Sequence, residues 1–187
     1  MPLSLDSKRA RITIRTFAEG LLSRLAHDLE LVCHDVTGTA EDRGNGAGMA
    51  RLEVPIAKID VAGTLKNGIV DPSGLSRSDR EDCLGKMRRE VFQASNGDDC
   101  VTIEADLEDG RARIRVMTPN GSKVESVVPL RTTTGDDGAL RVTGVVDLSL
   151  TAIGSWPVKG PMNAFRVKDR VDVIFDVSFG GEAAQPA

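Results

Sequence analysis

Val101-Thr102-Ile103-Glu104-Ala105-Asp106-Leu107-Glu108-Asp109-Gly110-Arg111-Ala112-Arg113-Ile114-Arg115-Val116 decides the fold. Val101, Ile103, Ala105 and Leu107 alternate with Thr102, Glu104 and Asp106. Beyond Asp109-Gly110, Ala112, Ile114 and Val116 alternate with Arg111, Arg113 and Arg115. Period two is the signature of a strand wet on one face and dry on the other. Asp-Gly between two such runs reads as a tight hairpin.

The same pattern recurs in both directions. Downstream, Pro119-Asn120-Gly121 marks a turn, and Val124, Val128 and Leu130 continue the alternation. Gly135-Asp136-Asp137-Gly138 turns again. Leu140, Val142, Val146, Leu148 and Leu150 follow, and Val171, Val173, Phe175, Val177 and Phe179 form the last run. Upstream, Ile12 and Ile14 alternate with arginines and a threonine. Leu25, His27, Leu29, Leu31 and Cys33 share one parity. Leu52, Val54 and Ile56 lead into Ile59 and Val61, with a change of phase near Pro55 of the kind a bulge produces. Glu41 to Gly48 reads as a flexible loop, and Gly180 to Ala187 as a disordered tail.

These runs make about eight strands joined by short turns, an antiparallel meander. A long sheet with one dry face and little helix to cover it does best by curling onto itself, which also removes exposed edges. The expectation is therefore a mainly β protein: one antiparallel β-barrel domain over residues 1–187, with its core at about 10–179. A two-sheet sandwich has the same periodicity and is the alternative. One segment breaks the pattern. Ser78 with Glu81 makes a capping box, and Leu84, Met87, Val91 and Phe92 recur at helical spacing, so one inserted helix is expected over 78–93, capping a barrel mouth.

Bulk properties narrow the function. The chain has 187 residues, net charge −4 and 3% aromatic residues, with no tyrosine. An acidic chain poor in aromatics suits neither nucleic acid nor an anionic membrane as a whole, although local basic patches are compatible with it. No apolar run is long enough for an integral membrane segment, and the first nine residues carry no secretory h-region, so a cytoplasmic protein is expected. Cys33, Cys83 and Cys100 are odd in number and lack CxxC spacing, which fits free structural thiols.

Chemistry-bearing constellations are few. His27-Asp28 and His34-Asp35 invite a metal, but seven residues along a strand put the two rings on opposite faces, so no metal site is expected. No Gly-x-Ser-x-Gly elbow is present, and the paired carboxylates fall in turns; no enzyme activity and no cofactor are expected. Arg111, Arg113 and Arg115 read as a solvated strand face. His27 shares parity with leucines and so points inward. It is either a core histidine tied to a backbone group or the polar anchor of a ligand pocket. Trp156, with Met162 and Phe165, lies in a loop that either closes a pocket mouth or packs on the barrel wall.

Four stretches, in order, resemble the YceI-like family of lipocalin-like barrels. Gly20-Leu21-Leu22-Ser23-Arg24-Leu25-Ala26-His27-Asp28 looks like its Gly-Leu-Leu-Ser…Gly-His-Asp stretch, with Ala26 where glycine is common. Residues 75–94 look like its Asp- and Arg-rich helix. Val142 to Leu150 resembles an inner strand, although the Gly-Val-Thr-Arg/Lys-Pro-Val run usual downstream is missing, and Lys123 to Leu130 stands in a neighbouring role. Ala164 to Val173 looks like the closing strand. The resemblance implies an elongated barrel with an apolar lumen, in a family whose characterised members bind isoprenoid chains or similar amphiphiles and are often homodimers. On that footing Leu25, Leu29, Leu31, Leu148, Leu150, Val173 and Phe175 line the lumen. His27 anchors a head group and Trp156 sits at the mouth. The ligand is an isoprenoid- or fatty-acid-like lipid. The alternative is a non-catalytic structural or protein-interaction barrel filled by its own side chains.

Overall fold

The computed structural model describes residues 2–20, 27–135, 138–160 and 164–180. Leu25 and Met162, and the tail from residue 181, lie outside these. The strands are β1 (Pro2–Leu5), β2 (Arg11–Thr16), β3 (Ala18–Glu19), β4 (Asp28–Cys33), β5 (Thr37–Gly44), β6 (Ala47–Pro55), β7 (Ile59–Lys66), β8 (Ile69–Asp71), β9 (Cys100–Glu108), β10 (Arg111–Met117), β11 (Lys123–Pro129), β12 (Arg131–Thr134), β13 (Leu140–Ser149), β14 (Arg166–Val167) and β15 (Arg170–Gly180). All but β3 and β14 join one antiparallel, barrel-like sheet, and those two pair with each other.

More strands are present than the eight expected, because several runs are bent. A 3-10 turn at Ile56–Lys58 separates β6 from β7, just after the proline that marked the phase change. Leu130 alone separates β11, which pairs with β10, from β12, which pairs with β13. β1 and β2 both pair with β15, on either side of a turn closed by hydrogen bonds from Arg9 N and Ala10 N to Asp6 O. Where β4 meets β7 the register slips between Glu30 and Leu31, whose partners are Gly63 and Val61, leaving Ala62 as a bulge.

The hairpins follow their turn chemistry. Asp109 and Gly110 take φ of 50° and 73°, the left-handed pair that a two-residue turn demands. Asn45 and Gly46 do the same at 53° and 76°, so the stretch expected to be a loose loop is instead the tip of the β5–β6 hairpin.

Alternation translates directly into burial. On β10, Ala112, Ile114 and Val116 are buried while Arg111 and Arg113 are exposed. The outer face carries a charge lattice rather than free arginines. Arg51 bridges Glu53 at 3.0 Å and Glu104 at 3.1 Å, and Arg115 bridges Glu104 at 3.2 Å, Asp106, and Glu125 at 3.7 Å. Pairs this exposed add little stability singly, but they fix strand register by sign.

The helix is shorter and starts earlier than the sequence suggested. Helix α1 runs Arg77–Lys86. Ser76, not Ser78, is its cap: the Ser76 hydroxyl accepts from Asp79 N at 3.1 Å and donates to Asp79 Oδ2 at 2.7 Å. A π-helical turn, Met87–Val91, follows, closed by Phe92 N donating to Met87 O at 3.1 Å. The extra residue in that turn lets Met87, Val91 and Phe92 all reach the core, where each is buried.

Gly144 shows how tightly the β13–β15 wall is built. It lies opposite Phe175, and a Cβ on it would stand 2.6 Å from Phe175 Cζ and 2.8 Å from Leu130 Cδ2. Gly144→Ala is expected to cost about 1–3 kcal/mol in urea unfolding through overpacking. Adding Phe175→Leu should recover part of it, and full additivity of the two losses would refute the contact as the cause.

Acid should also loosen this wall. Hydrogen bonding to Arg141, at 2.7 and 2.5 Å, holds the Asp176 carboxyl below its ordinary 3.8, and bonds from Ser149 and Thr151 do the same for Asp169. Folded-state values below the unfolded ones give stability that is complete above 3.8 and lost as pH falls through the depressed values. Urea midpoints measured down the acid range should therefore fall less steeply in Asp169→Asn than in the parent.

Candidate functional site: two cavities in the lumen

The inward faces of the curled sheet enclose two cavities that share no lining residue. The first, of about 350 Å³, is walled by β9 and β10 (Val101, Ile103, Ile114, Val116) and by β13 and β15 (Val142, Leu148, Val173, Phe175). Its body has no charged side chain. One end opens at the β5–β6 hairpin and β12, where Glu41, Asp42, Asn45, Thr132 and Thr134 are exposed. The other end is shut by Phe92, Ile153 and Thr118. Thr118 is buried, and its hydroxyl donates to Asn120 Oδ1 at 2.7 Å, while Asn120 Nδ2 donates to Ile153 O at 3.1 Å. The polar groups at this end are satisfied among themselves and do not compete for a ligand.

The second cavity, of about 450 Å³, lies under α1. Leu29 and Leu31 of β4, Phe17, Met87, Val91 and Leu150 give it an apolar floor. Asp79, Asp82, Cys83 and Lys86 come from α1, and Val158, Lys159 and Phe165 from the loop before β14. The division between the cavities falls between successive inward positions: Leu31 from Cys33, Val91 from Phe92, and Leu148 from Leu150.

The residues expected to form one site are thus divided. Leu148, Val173 and Phe175 line the first cavity; Leu29, Leu31, Leu150 and His27 line the second. His27 is not the inward, buried group that its parity implied. β4 begins only at Asp28, so His27 falls outside the pleat and is exposed at the cavity rim. Asp28 accepts a hydrogen bond from Ala18 N at 2.9 Å, tying this rim to β3. Trp156 lines neither cavity and is 59% exposed, so it neither closes a mouth nor packs on the wall. His34 is exposed beyond the end of β4, and among the described residues no group of three or more His, Cys, Asp or Glu could hold a metal.

Phe92, Ile103 and Phe179 also line the first cavity. Strand parity on β9 and β15 is the signal that marks Ile103 and Phe179. Nothing in the periodicity marks Lys86, Val158 or Lys159, because a helix end and a loop are brought together there by tertiary packing.

No family model matches the chain, and no curated protein sequence matches it. Solved structures do. The crystal structure of Burkholderia cenocepacia BcnA aligns with 93% of this chain and 98% of its own, with a TM-score of 0.64 and 12% identity. The likeness is one of fold. No helix among the described residues is long and apolar enough to cross a membrane.

Cys33 reports on the dryness of the first cavity. Burial pushes its thiol up to about 12. Iodoacetamide at neutral pH should leave Cys33 unmodified in the folded protein and alkylate it after denaturation, as read by peptide mass. Rapid native labelling of Cys33 would mean that water reaches the first cavity's wall.

Proposed function

We propose that this protein binds a small apolar or amphiphilic molecule, isoprenoid- or fatty-acid-like, in the first cavity. The observation that carries the reading is an aliphatic and aromatic chamber of about 350 Å³ with charged groups confined to its open end. That volume is at the small end of the range for small-molecule sites. Burial of a tail at about 25 cal/mol per Å² supplies affinity without any directional contact. Thr132, Thr134 and Asn45 offer hydroxyl and amide partners to a head group at the mouth. Glu41 and Asp42 beside them favour a neutral or cationic head over a carboxylate.

We further infer that the sheet is a closed barrel of eight long, bent strands, of the YceI-like kind. The support is the order of the ladders. Taking β1 with β2, β4 with β5, β6 with β7, and β11 with β12 as single bent strands, each long strand pairs with the next in the chain, and β15 pairs back to β1 and β2. A barrel of this size holds one small ligand or is filled by side chains, and the cavity favours the former.

Native mass spectrometry of the purified protein, repeated after organic extraction, tests the reading, together with uptake of a fluorescent fatty alcohol and its displacement by an isoprenoid alcohol. Val173→Trp, which fills the first cavity, is expected to weaken uptake more than about tenfold. His27→Ala, on the second cavity, should leave it unchanged. A clean apo mass with no uptake of either probe would move the assignment to a side-chain-filled interaction barrel.

A further inference from the structure

Around the C-terminal end of α1 the surface changes character. Residues 84–93 and 154–160 hold four cations, Lys86, Arg88, Arg89 and Lys159, against one carboxylate, Glu90. Hydrogen bonds bind the two segments into one surface: Trp156 N donates to Glu90 O at 2.8 Å, Gln93 Nε2 to Gly154 O at 2.6 Å, and Lys86 Nζ to Lys159 O at 2.6 Å. None of the four cations makes an ion pair among the described residues, whereas the outer strands knit most of their arginines to carboxylates. The second of these segments holds the chain's one tryptophan, 59% exposed, followed by exposed Pro157.

Exposure of so large an apolar side chain needs a reason, and its backbone is held in place by the bond to Glu90 O. Tryptophan settles at membrane–water interfaces because its ring is apolar and its N–H is polar. Lys86 and Arg88 donate to Lys159 O and Ala57 O, whereas Arg89 and Lys159 are exposed, and exposed cations without a carboxylate partner are attracted to the negative potential of anionic lipid. Lys86 and Lys159 also line the second cavity, so the two segments border it. Asp79 and Asp82 line the same cavity from earlier in α1.

We propose that this end of the molecule docks reversibly on a bilayer carrying anionic phospholipid, with Trp156 at headgroup depth and the basic cluster against the phosphates. Docking sets the second cavity, not the chamber proposed for the ligand, against the lipid. It does not rest on the ligand-binding reading and is measured with no ligand added.

The test uses the intrinsic fluorescence of Trp156. Vesicles of phosphatidylserine with phosphatidylcholine should shift its emission to the blue and sediment the protein, and phosphatidylcholine vesicles alone should do neither. Each cation adds about fivefold to partitioning at low salt, so the double variant Arg89→Glu, Lys159→Glu should lose at least about twentyfold. Both side chains are exposed, and far-UV circular dichroism checks that the barrel is intact. Trp156→Ser, followed by sedimentation, should weaken association while keeping its salt dependence. The proposal is overturned if anionic vesicles leave emission and sedimentation unchanged, or if both vesicle types bind alike. It is equally overturned if the variants bind as the parent does. A blue shift with soluble polyglutamate and none with vesicles would overturn it in favour of an acidic protein partner. Failure here with successful uptake of the fatty-alcohol probe would leave the ligand reading standing.

Discussion

Strand β15 is hydrogen-bonded along both edges, to β13 through ten residue pairs on one side and to β2 and β1 on the other. Its inward residues, Val171 through Phe179, must lie against β1 and β2 from the beginning of the chain and against β13 shortly before it. The separation from β1 and β2 costs loop-closure entropy before any contact is gained. The register is held by shape as well as by charge. Phe175 fits only because Gly144 opposite has no side chain, and a slip of one residue would turn every inward valine of β15 outward.

Bends in the other strands follow from the same demand. A straight strand cannot pair with one neighbour near one end of a curled sheet and a different partner near the other. Leu130 lets one run leave β10 and join β13. The turn at Ile56–Lys58 lets another leave β9 and join β4. The π-helical turn then drives Met87, Val91 and Phe92 into the lumen, where they stand between the two cavities. One continuous apolar channel, the simplest expectation for a curled sheet with apolar side chains at its inward positions, is thereby divided.

How much of this was legible depended on whether the information was local. Parity on β9, β10, β13 and β15 located the buried face almost residue by residue, because in a strand the side chain's face is set by its neighbours alone. The same reasoning misplaced His27, since parity extends only as far as the pleat, and the strand begins one residue later. It misread Asn45-Gly46 as looseness, although the left-handed preference of that pair is also a hairpin signal. Ser78 and Ser76 both stand three residues before an acidic side chain that can close a capping box, and composition alone does not choose between them. The division of the lumen and the meeting of Lys86 with Lys159 arise from packing between distant segments, which no window of sequence encodes.

Net charge illustrates the same point for function. A total of −4 argues against an anionic surface only if the charge is spread evenly. Here Glu41 and Asp42 stand at the mouth of the first cavity, while the second, which shares no lining residue with it, is bordered by Lys86 and Lys159 as well as by Asp79 and Asp82. The Debye length in ordinary salt is about 8–10 Å, much shorter than a strand of this sheet. An approaching ligand or surface therefore feels one end of the molecule and not the total. Glu41 and Asp42 act on a group near the first cavity, and the exposed cations Arg89 and Lys159 on one near their own segments, whatever the total.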